Sequence, residues 1–377
     1  MWQYNTLDKF GIASRGRSQH RPRNDSSLFG GKYPFIQTGD VKKSDLYITE
    51  FEQTYNEKGL AQSKLWDEGT LCITIAANIA DTGILGIKAC FPDSIIGFTP
   101  NEKCDIKFLK YSFDILQTYC KQISRGTTQD NLSWQKLSRI KFPNPPLPTQ
   151  QKIASILSAY DNLIQNYKKQ IEALQTAASE LYKEWFVRFR FPGYQTTKFE
   201  NGIPKGWKVV LASELGEFVR GKNITADEMQ EGMIPVISAG IEPSGFHNQS
   251  NVKGVSLTIS NSGANAGYLQ INYSDIWAAD CSYCNSAKHI YFYYELLNNM
   301  RVVLFNLQKG AAQPHVYAKD INKMKILLPP SELIETANNK IKLMHEKIYS
   351  LQQQISNLTQ QRDLLLPRLM SGKLEVE

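Results

Sequence analysis

The chain has 377 residues, 42% of them hydrophobic and 21% charged, an ordinary balance for a globular protein of two domains, or of two plus a connector. No run of about 18 apolar residues occurs, which excludes a membrane-spanning helix, and no secretory segment is read at the start, so a cytoplasmic protein with no membrane partner is expected. The formal net charge of +7 is a mild positive bias consistent with a polyanionic partner.

Taken in chain order, the first segment, residues 1–144, is expected to be a mixed domain of short β-branched and aromatic runs, such as LCITIAANI, broken by Gly, Asn and Asp. Its stretch SRGRSQHRPR carries Arg15, Arg17, Arg21 and Arg23 with His20, and Lys42 and Lys43 follow. Arg and Lys neutralise phosphates and pair with guanine edges; the same stretch also reads as a solvated loop. A helix is expected over 108–123, followed by a polar loop with Arg125, Thr127, Thr128 and Gln129. Gln reads adenine bidentately, and the loop reads equally as a structural turn.

The proline cluster PNPPLP (143–148) ends this domain. Segment 145–191 then turns helical, with Thr149 as N-cap, and runs to about Arg188. Apolar residues at steps of three and four, Ile153, Ile156, Tyr160, Leu163, Tyr167, Ile171, Leu174, Ala178, Leu181 and Trp185, predict a coiled-coil seam. A second mixed domain is expected over 192–328, with a helix over 294–308. Its candidate contact residues are Arg220, Lys222, Lys309, Gln313 and His315. The last segment, 329–377, starts a second long helix at Ser331, with a seam of Ile341, Met344, Ile348, Leu351, Ile355, Leu358, Leu365 and Leu369.

An internal repeat orders these parts. WQYNTLDKFGIASRG, from Trp2, matches WKVVLASELGEFVRG, from Trp207, at an offset of 205, and YPFIQTG (33–39) matches IPVISAG (234–240) at 201. The offset then becomes 184 and holds: TIAANIADTG (74–83) matches TISNSGANAG (258–267), RGTTQDNL (125–132) matches KGAAQPHV (309–316), Pro145-Pro146 matches Pro329-Pro330, and IEAL (171–174) matches ISNL (355–358). The first copy therefore carries about 17 extra residues between Gly39 and Thr74. The expected fold is α+β: two mixed α/β domains separated by two long antiparallel helices forming a coiled coil, related by an internal pseudo-two-fold. Duplex DNA has local two-fold symmetry, so a pseudo-dimer with unlike halves suits two unlike half-sites at a fixed gap.

Chemistry of other kinds finds little support. The six cysteines, Cys72, Cys90, Cys104, Cys120, Cys281 and Cys284, are expected to be reduced and packed. Cys281 and Cys284 have CxxC spacing, but no second pair completes a zinc site, so no metal is expected. Asn144-Pro145-Pro146-Leu147 is similar to the NPP-aromatic turn of amino-methyltransferases, with Leu where the aromatic belongs. Pro92-Asp93 with Asp105-Ile106-Lys107 fits the loose PD…(D/E)xK nuclease pattern, which keeps a Mg²⁺-dependent nuclease as one alternative. A protein-only coiled-coil scaffold is the other. There is no GxxxxGK[ST], so no P-loop.

The ordered combination resembles the specificity subunit of type I restriction–modification enzymes. The resemblance covers essentially the whole chain and rests on Trp2 and Trp207, the Gly-x-x-Gln loops, PPLPTQQKIASIL (145–157), EALQTAASELYKEWF and LLPRLMSGKLE (365–375). It implies a non-catalytic subunit in which two target-recognition domains bind double-stranded DNA at a bipartite, asymmetric site. It further implies helices that dock two adenine methyltransferase subunits, joined by two restriction/translocase subunits. No cofactor is then expected in this chain; S-adenosylmethionine, ATP and Mg²⁺ belong to the partners.

Overall fold

The structure is a computed structural model that describes every residue except 1, 77, 125–131, 133, 311, 312 and 377. It divides into two units, Met1–Lys168 with Gln354–Glu377, and Lys169–Gln353.

The first unit begins with β1 (Gln3–Thr6), β2 (Gly11–Arg15) and β3 (Phe29–Phe35), followed by α1 (Thr38–Lys43), β4 (Tyr47–Ile48), β5 (Gln53–Tyr55), α2 (Glu57–Ala61) and β6 (Leu65–Trp66). Next come β7 (Leu71–Thr74), β8 (Thr82–Leu85), β9 (Ala89–Cys90), β10 (Ile95–Pro100), α3 (Ile106–Ser124), α4 (Trp134–Leu137) and β11 (Lys141–Asn144). β7 and β8 are buried at every position, as central strands covered on both faces must be. They lie inside a five-stranded sheet ordered β2-β10-β7-β8-β4, and a second sheet is ordered β5-β3-β9-β6. α3 lies against the first sheet, its start fixed by Asp105, whose carboxylate accepts from the amides of Lys107 and Phe108 at 3.0 Å each.

α5 (Leu147–Tyr182) starts two residues before the expected Thr149. Pro148 falls in its first turn, where a missing N–H costs nothing. The second unit holds a hairpin, β12 (Phe199–Glu200) and β13 (Ile203–Pro204), then β14 (Lys208–Leu211), β15 (Val219–Arg220), β16 (Ile234–Ile237) and β17 (Gly245–His247). After these come β18 (Ser256–Ser260), β19 (Leu269–Asn272), β20 (Trp277–Ala278) and β21 (Cys281–Cys284). The unit continues with α6 (Ile290–Asn299), α7 (Arg301–Asn306), α8 (Ala318–Asn322), β22 (Lys325–Leu328) and the start of α9 (Ser331–Met370). The helix expected over 294–308 is thus broken at Met300, after the weak helix formers Asn298 and Asn299.

The duplication is visible strand for strand. β1 pairs with β11 as β14 pairs with β22, and β3 runs parallel to β9 as β16 runs parallel to β20. The second unit's sheets are ordered β15-β21-β18-β19 and β17-β16-β20, so each lacks one edge strand of its counterpart. Pro34 faces Thr54 and Pro235 faces Phe246, an offset of 192 between Thr54 and Phe246, intermediate between 201 and 184. The extra residues therefore fall in two parts. α1–β4 adds an edge to the first sheet, and α2–β6 adds one to the second.

Within the first unit the start of α5 runs antiparallel to the end of α9. Ile153, Ala154 and Leu157 share a core with Leu369 and Met370, and farther along Asp161 meets Arg362. In the second unit Ala178, Tyr182 and Phe186 share a core with Ile334, Ala337 and Ile341. Of the residues on the expected α9 seam, Ile341, Ile348, Leu351 and Leu369 are buried, and Met344, Ile355, Leu358 and Leu365 are half-buried. Along α5 the buried positions lie one residue beyond the expected ones over 157–164 and 182–186, and coincide with them at Ile153 and Ala178. Ile156 and Leu163 are 38% and 37% exposed, Tyr160, Tyr167, Ile171, Leu174, Leu181 and Trp185 are half-buried, and the buried line is Ile153, Leu157, Asp161, Ile164, Ala178, Tyr182 and Phe186. A carboxylate at the centre of that line hid its phase.

The two repeated tryptophans seal helix ends. Trp2 packs edge-on to Phe108 and against Gly372, where a Cβ would stand 3.1 Å from the indole. Trp207 packs against Phe186, Phe189 and Phe191, just past α5.

Candidate nucleic-acid interface

Each domain presents the same small device, an Arg-Gly-basic tripeptide at the end of an edge strand. In the first, the Gly16 amide donates to the Ile95 carbonyl at 2.8 Å and the Arg17 amide to Phe91 at 3.0 Å. In the second, the Gly221 amide donates to Cys281 at 2.8 Å and the Lys222 amide to Ala278 at 2.9 Å. A Cβ on Gly16 would lie 2.3 Å from the Pro92 carbonyl oxygen, and one on Gly221 would lie 2.4 Å from that of Ala279. Only glycine permits this approach. The anchored backbone leaves Arg15, Arg17, Arg220 and Lys222 exposed, two cations per domain, with Arg17 donating to the Gln19 side-chain carbonyl at 2.9 Å; exposed cations of this kind meet phosphates or base edges.

The rest of the basic stretch in the first domain is structural. Arg21 donates to the carbonyls of Ser18 and His20 at 2.7 and 2.8 Å, and Arg23 grips both oxygens of Asp93 at 2.7 and 2.9 Å. His20 meets Asp25 at 2.8 Å. The Ser27 amide, and after it the Ser27 hydroxyl and His20, hold the Asp25 carboxyl down at about 2. Instead of hanging in a loosely solvated loop, Arg23 lines a cleft of about 750 Å³ together with Phe29, Phe35, Gln37, Thr38 and Gln53. The Gln37 side-chain amide donates to the Gln53 carbonyl at 2.7 Å. Composition offered no signal for these glutamines; only the pairing of β3 with β5 brings them together. Lys42 is exposed on α1, and its neighbour Lys43 is paired with Glu52.

In the second domain the chain brings two candidates to one place. Arg220 and His315 line a cleft of about 40 Å³ with Asn261, Asp280 and Tyr317, and His315 stacks on Tyr317. Lys309 and His315 exchange backbone hydrogen bonds of 2.9 Å in both directions, and the chain past Lys309 takes φ +97° at Gly310. It presents Gln313 to solvent, while Lys309 is tied to Asp320 at 2.6 Å. Arg125, Thr127, Thr128 and Gln129 lie outside the described residues.

The patterns that suggested other chemistry come apart. Asp93 is held by Arg23 and Asp105 caps α3, each with its own structural task. Asn144 and the Pro145 carbonyl accept from the buried Gln150 amide, at 3.3 and 3.0 Å, which fixes the start of α5. Cys281 and Cys284 sit on opposite faces of β21, in different cores. Among the described residues no group of three His, Cys, Asp or Glu is placed to hold a metal, and no helix is long and apolar enough to cross a membrane.

Comparison with known proteins gives a consistent picture. The family model described as "Type I restriction modification DNA specificity domain" matches residues 2–176 and 204–365. The MjaIX specificity subunit of Methanocaldococcus jannaschii, from a type I restriction enzyme, is 28% identical over 383 aligned residues, covering 93% of this chain and 88% of that one. A putative type I specificity subunit of Mycoplasma genitalium is 23% identical, with 72% of each chain covered. The crystal structure of a type I restriction–modification S subunit from M. genitalium has the same fold, with a TM-score of 0.67 at 18% identity over 98% of this chain and 96% of that one.

Proposed function

The chain belongs to the type I restriction–modification DNA specificity family, and from that premise we propose how its two halves divide the work. It is a non-catalytic DNA-recognition subunit of a type I complex; the chemistry falls to partner subunits. Each recognition domain reads one half of a two-part site. The observation that carries this reading is the repeated Arg-Gly-basic device, with its backbone anchored in the same way and its cations left exposed in both domains. The halves are unlike: among the described residues the first carries the α1–β4 and α2–β6 additions, which have no counterpart in the second, and a large cleft opens beside its basic loop. The site read is therefore asymmetric.

The long helices serve as docking surface for two adenine methyltransferase subunits, joined by two restriction/translocase subunits. Support comes from apolar side chains that the helices leave exposed: Ile156 and Leu163 in part, and Leu343 and Leu364 at 68% and 59%. S-adenosylmethionine, ATP and Mg²⁺ are bound by those partners, and the complex works in the cytoplasm. The test is binding of the chain, with its methyltransferase, to duplex DNA across a salt series. Affinity that falls steeply with salt and is highest for one two-part sequence is expected. Binding to the methyltransferase with no affinity for DNA would leave a protein scaffold.

A further inference from the structure

From α3 onward the two halves run at one offset of 184. At that offset Tyr111 of α3 corresponds to Glu295 of α6, and Asp161 of α5 corresponds to His345 of α9. Both pairs are joined. The Tyr111 hydroxyl donates to the Asp161 carboxylate, and His345 Nε2 lies 3.2 Å from Glu295 Oε1. All four residues are buried, none more than 4% exposed. In each half, then, one hydrogen bond joins the recognition domain's helix to the long helix beneath it at the same site, with the acidic partner exchanged between the two sides.

The third partner differs too. Asp161 also accepts from Arg362 of α9 at 2.6 Å. The counterpart of Arg362 is Ala178, fully buried, whose methyl group offers His345 no polar partner. His345 turns instead to the recognition domain, where its Nδ1 lies 2.8 Å from the Tyr273 hydroxyl. Tyr273, Tyr291 and Tyr294 surround the imidazole with ring centroids 5.4–5.9 Å away, and burial raises the pKa of all three phenols. In the first half, burial likewise raises Tyr111 and Asp114. Tyr111 therefore stays a donor and Asp161 the acceptor.

Single buried polar pairs of this kind fix geometry more than they add stability, because every other alignment leaves a buried charge or donor unpaired. We propose that Tyr111–Asp161–Arg362 and Glu295–His345–Tyr273 are positioning locks, each setting the angle at which its own domain meets its half-site. The inference rests on the DNA-reading function proposed above. None of the six residues contacts DNA; they act through the seating of the domain.

The test uses the full chain with its methyltransferase and maps N6-methyladenine across host DNA, scoring mismatches in each half-site separately. His345→Asp sets two carboxylates against each other in the second lock. Expected is at least about a tenfold rise in methylation at sites mismatched in the second half-site, with the first half-site read as before; a tenfold change is about 1.4 kcal/mol of discrimination. Adding Glu295→Tyr recreates the first half's Tyr–Asp pair, with Tyr273 as second donor, and brings fidelity back to within about threefold of the unmodified chain. Asp161→Asn should relax the first half-site alone. Equal relaxation of both half-sites, or a double variant no better than His345→Asp, overturns the proposal. If His345→Asp is inactive everywhere, the double variant decides: restored reading supports the lock and continued inactivity refutes it. Absence of any two-part motif with the unmodified chain would instead sink the DNA-reading premise, and this inference with it.

Discussion

Truncating Leu157 and Leu163 to alanine, one at a time, separates two phases of the same helix. Leu157 is fully buried among Ile153, Phe113 and Leu369 in the first unit's core. Its alanine variant removes three carbon groups from that core, a transfer loss of about 2.4 kcal/mol at about 0.8 kcal/mol each. The cavity left behind brings the total to about 3 kcal/mol, within the range seen for buried leucines. Leu163 is 37% exposed, so its truncation loses roughly two-thirds as much apolar burial, leaves no closed cavity and gains some helix propensity, for a net cost of about 1–1.5 kcal/mol. Because the chain has two units, urea unfolding is best read by hydrogen exchange of peptides from α3 and α5, which report the first unit directly. If Leu163→Ala cost as much as Leu157→Ala, the buried line would run through Ile156, Tyr160 and Leu163 after all, and the packing described here would be wrong.

Other expectations follow from the interface. Arg17→Ala and Lys222→Ala should each weaken DNA binding for all sequences alike and reduce the slope of log K against log salt by about one if each side chain meets a phosphate; Arg23→Ala, whose charge is spent on Asp93, should leave that slope unchanged. Gly16→Ala, with its Cβ forced to within 2.3 Å of a carbonyl oxygen, should cost about 2 kcal/mol or more in thermal unfolding and disorder the basic loop. Burial pushes the thiols up, Cys120 to about 11 and Cys104 and Cys281 to about 12, and all six cysteines are buried. A thiol reagent at pH 8 should therefore find no fast-reacting group in the native chain and six in denaturant; a fast-reacting thiol would contradict the packing.

The duplication was legible because it is written in offsets, and the structure repeats it strand for strand. The α9 seam was legible because Ile341, Ile348 and Leu351 keep its apolar phase, even though Asn338 and His345 are buried on the same helix. The α5 seam was misread because Asp161 occupies a buried position that only Arg362 and Tyr111 make tolerable, and neither is near it in sequence. A simple period-3.6 reading prefers the neighbouring phase, which has Tyr160 and Leu163. The basic stretch was half legible. Glycine's role between Arg15 and Arg17 needs the strand against which it lies, and the engagement of Arg23 needs Asp93, 70 residues away. The 17 extra residues could be counted in the sequence, but their division into two edge strands is a property of sheet pairing. Gln37 and Gln53 had no motif to announce them.

The reading of two unlike half-sites by one chain is the property on which the rest depends. Its most direct test is single-molecule sequencing of host DNA, with and without this chain expressed beside its methyltransferase. Expected is N6-methyladenine at a single two-part motif, its halves different in sequence and separated by a fixed gap, present only when the chain is present. Methylation that does not depend on the chain, or that falls on one uninterrupted or perfectly palindromic sequence, would contradict it.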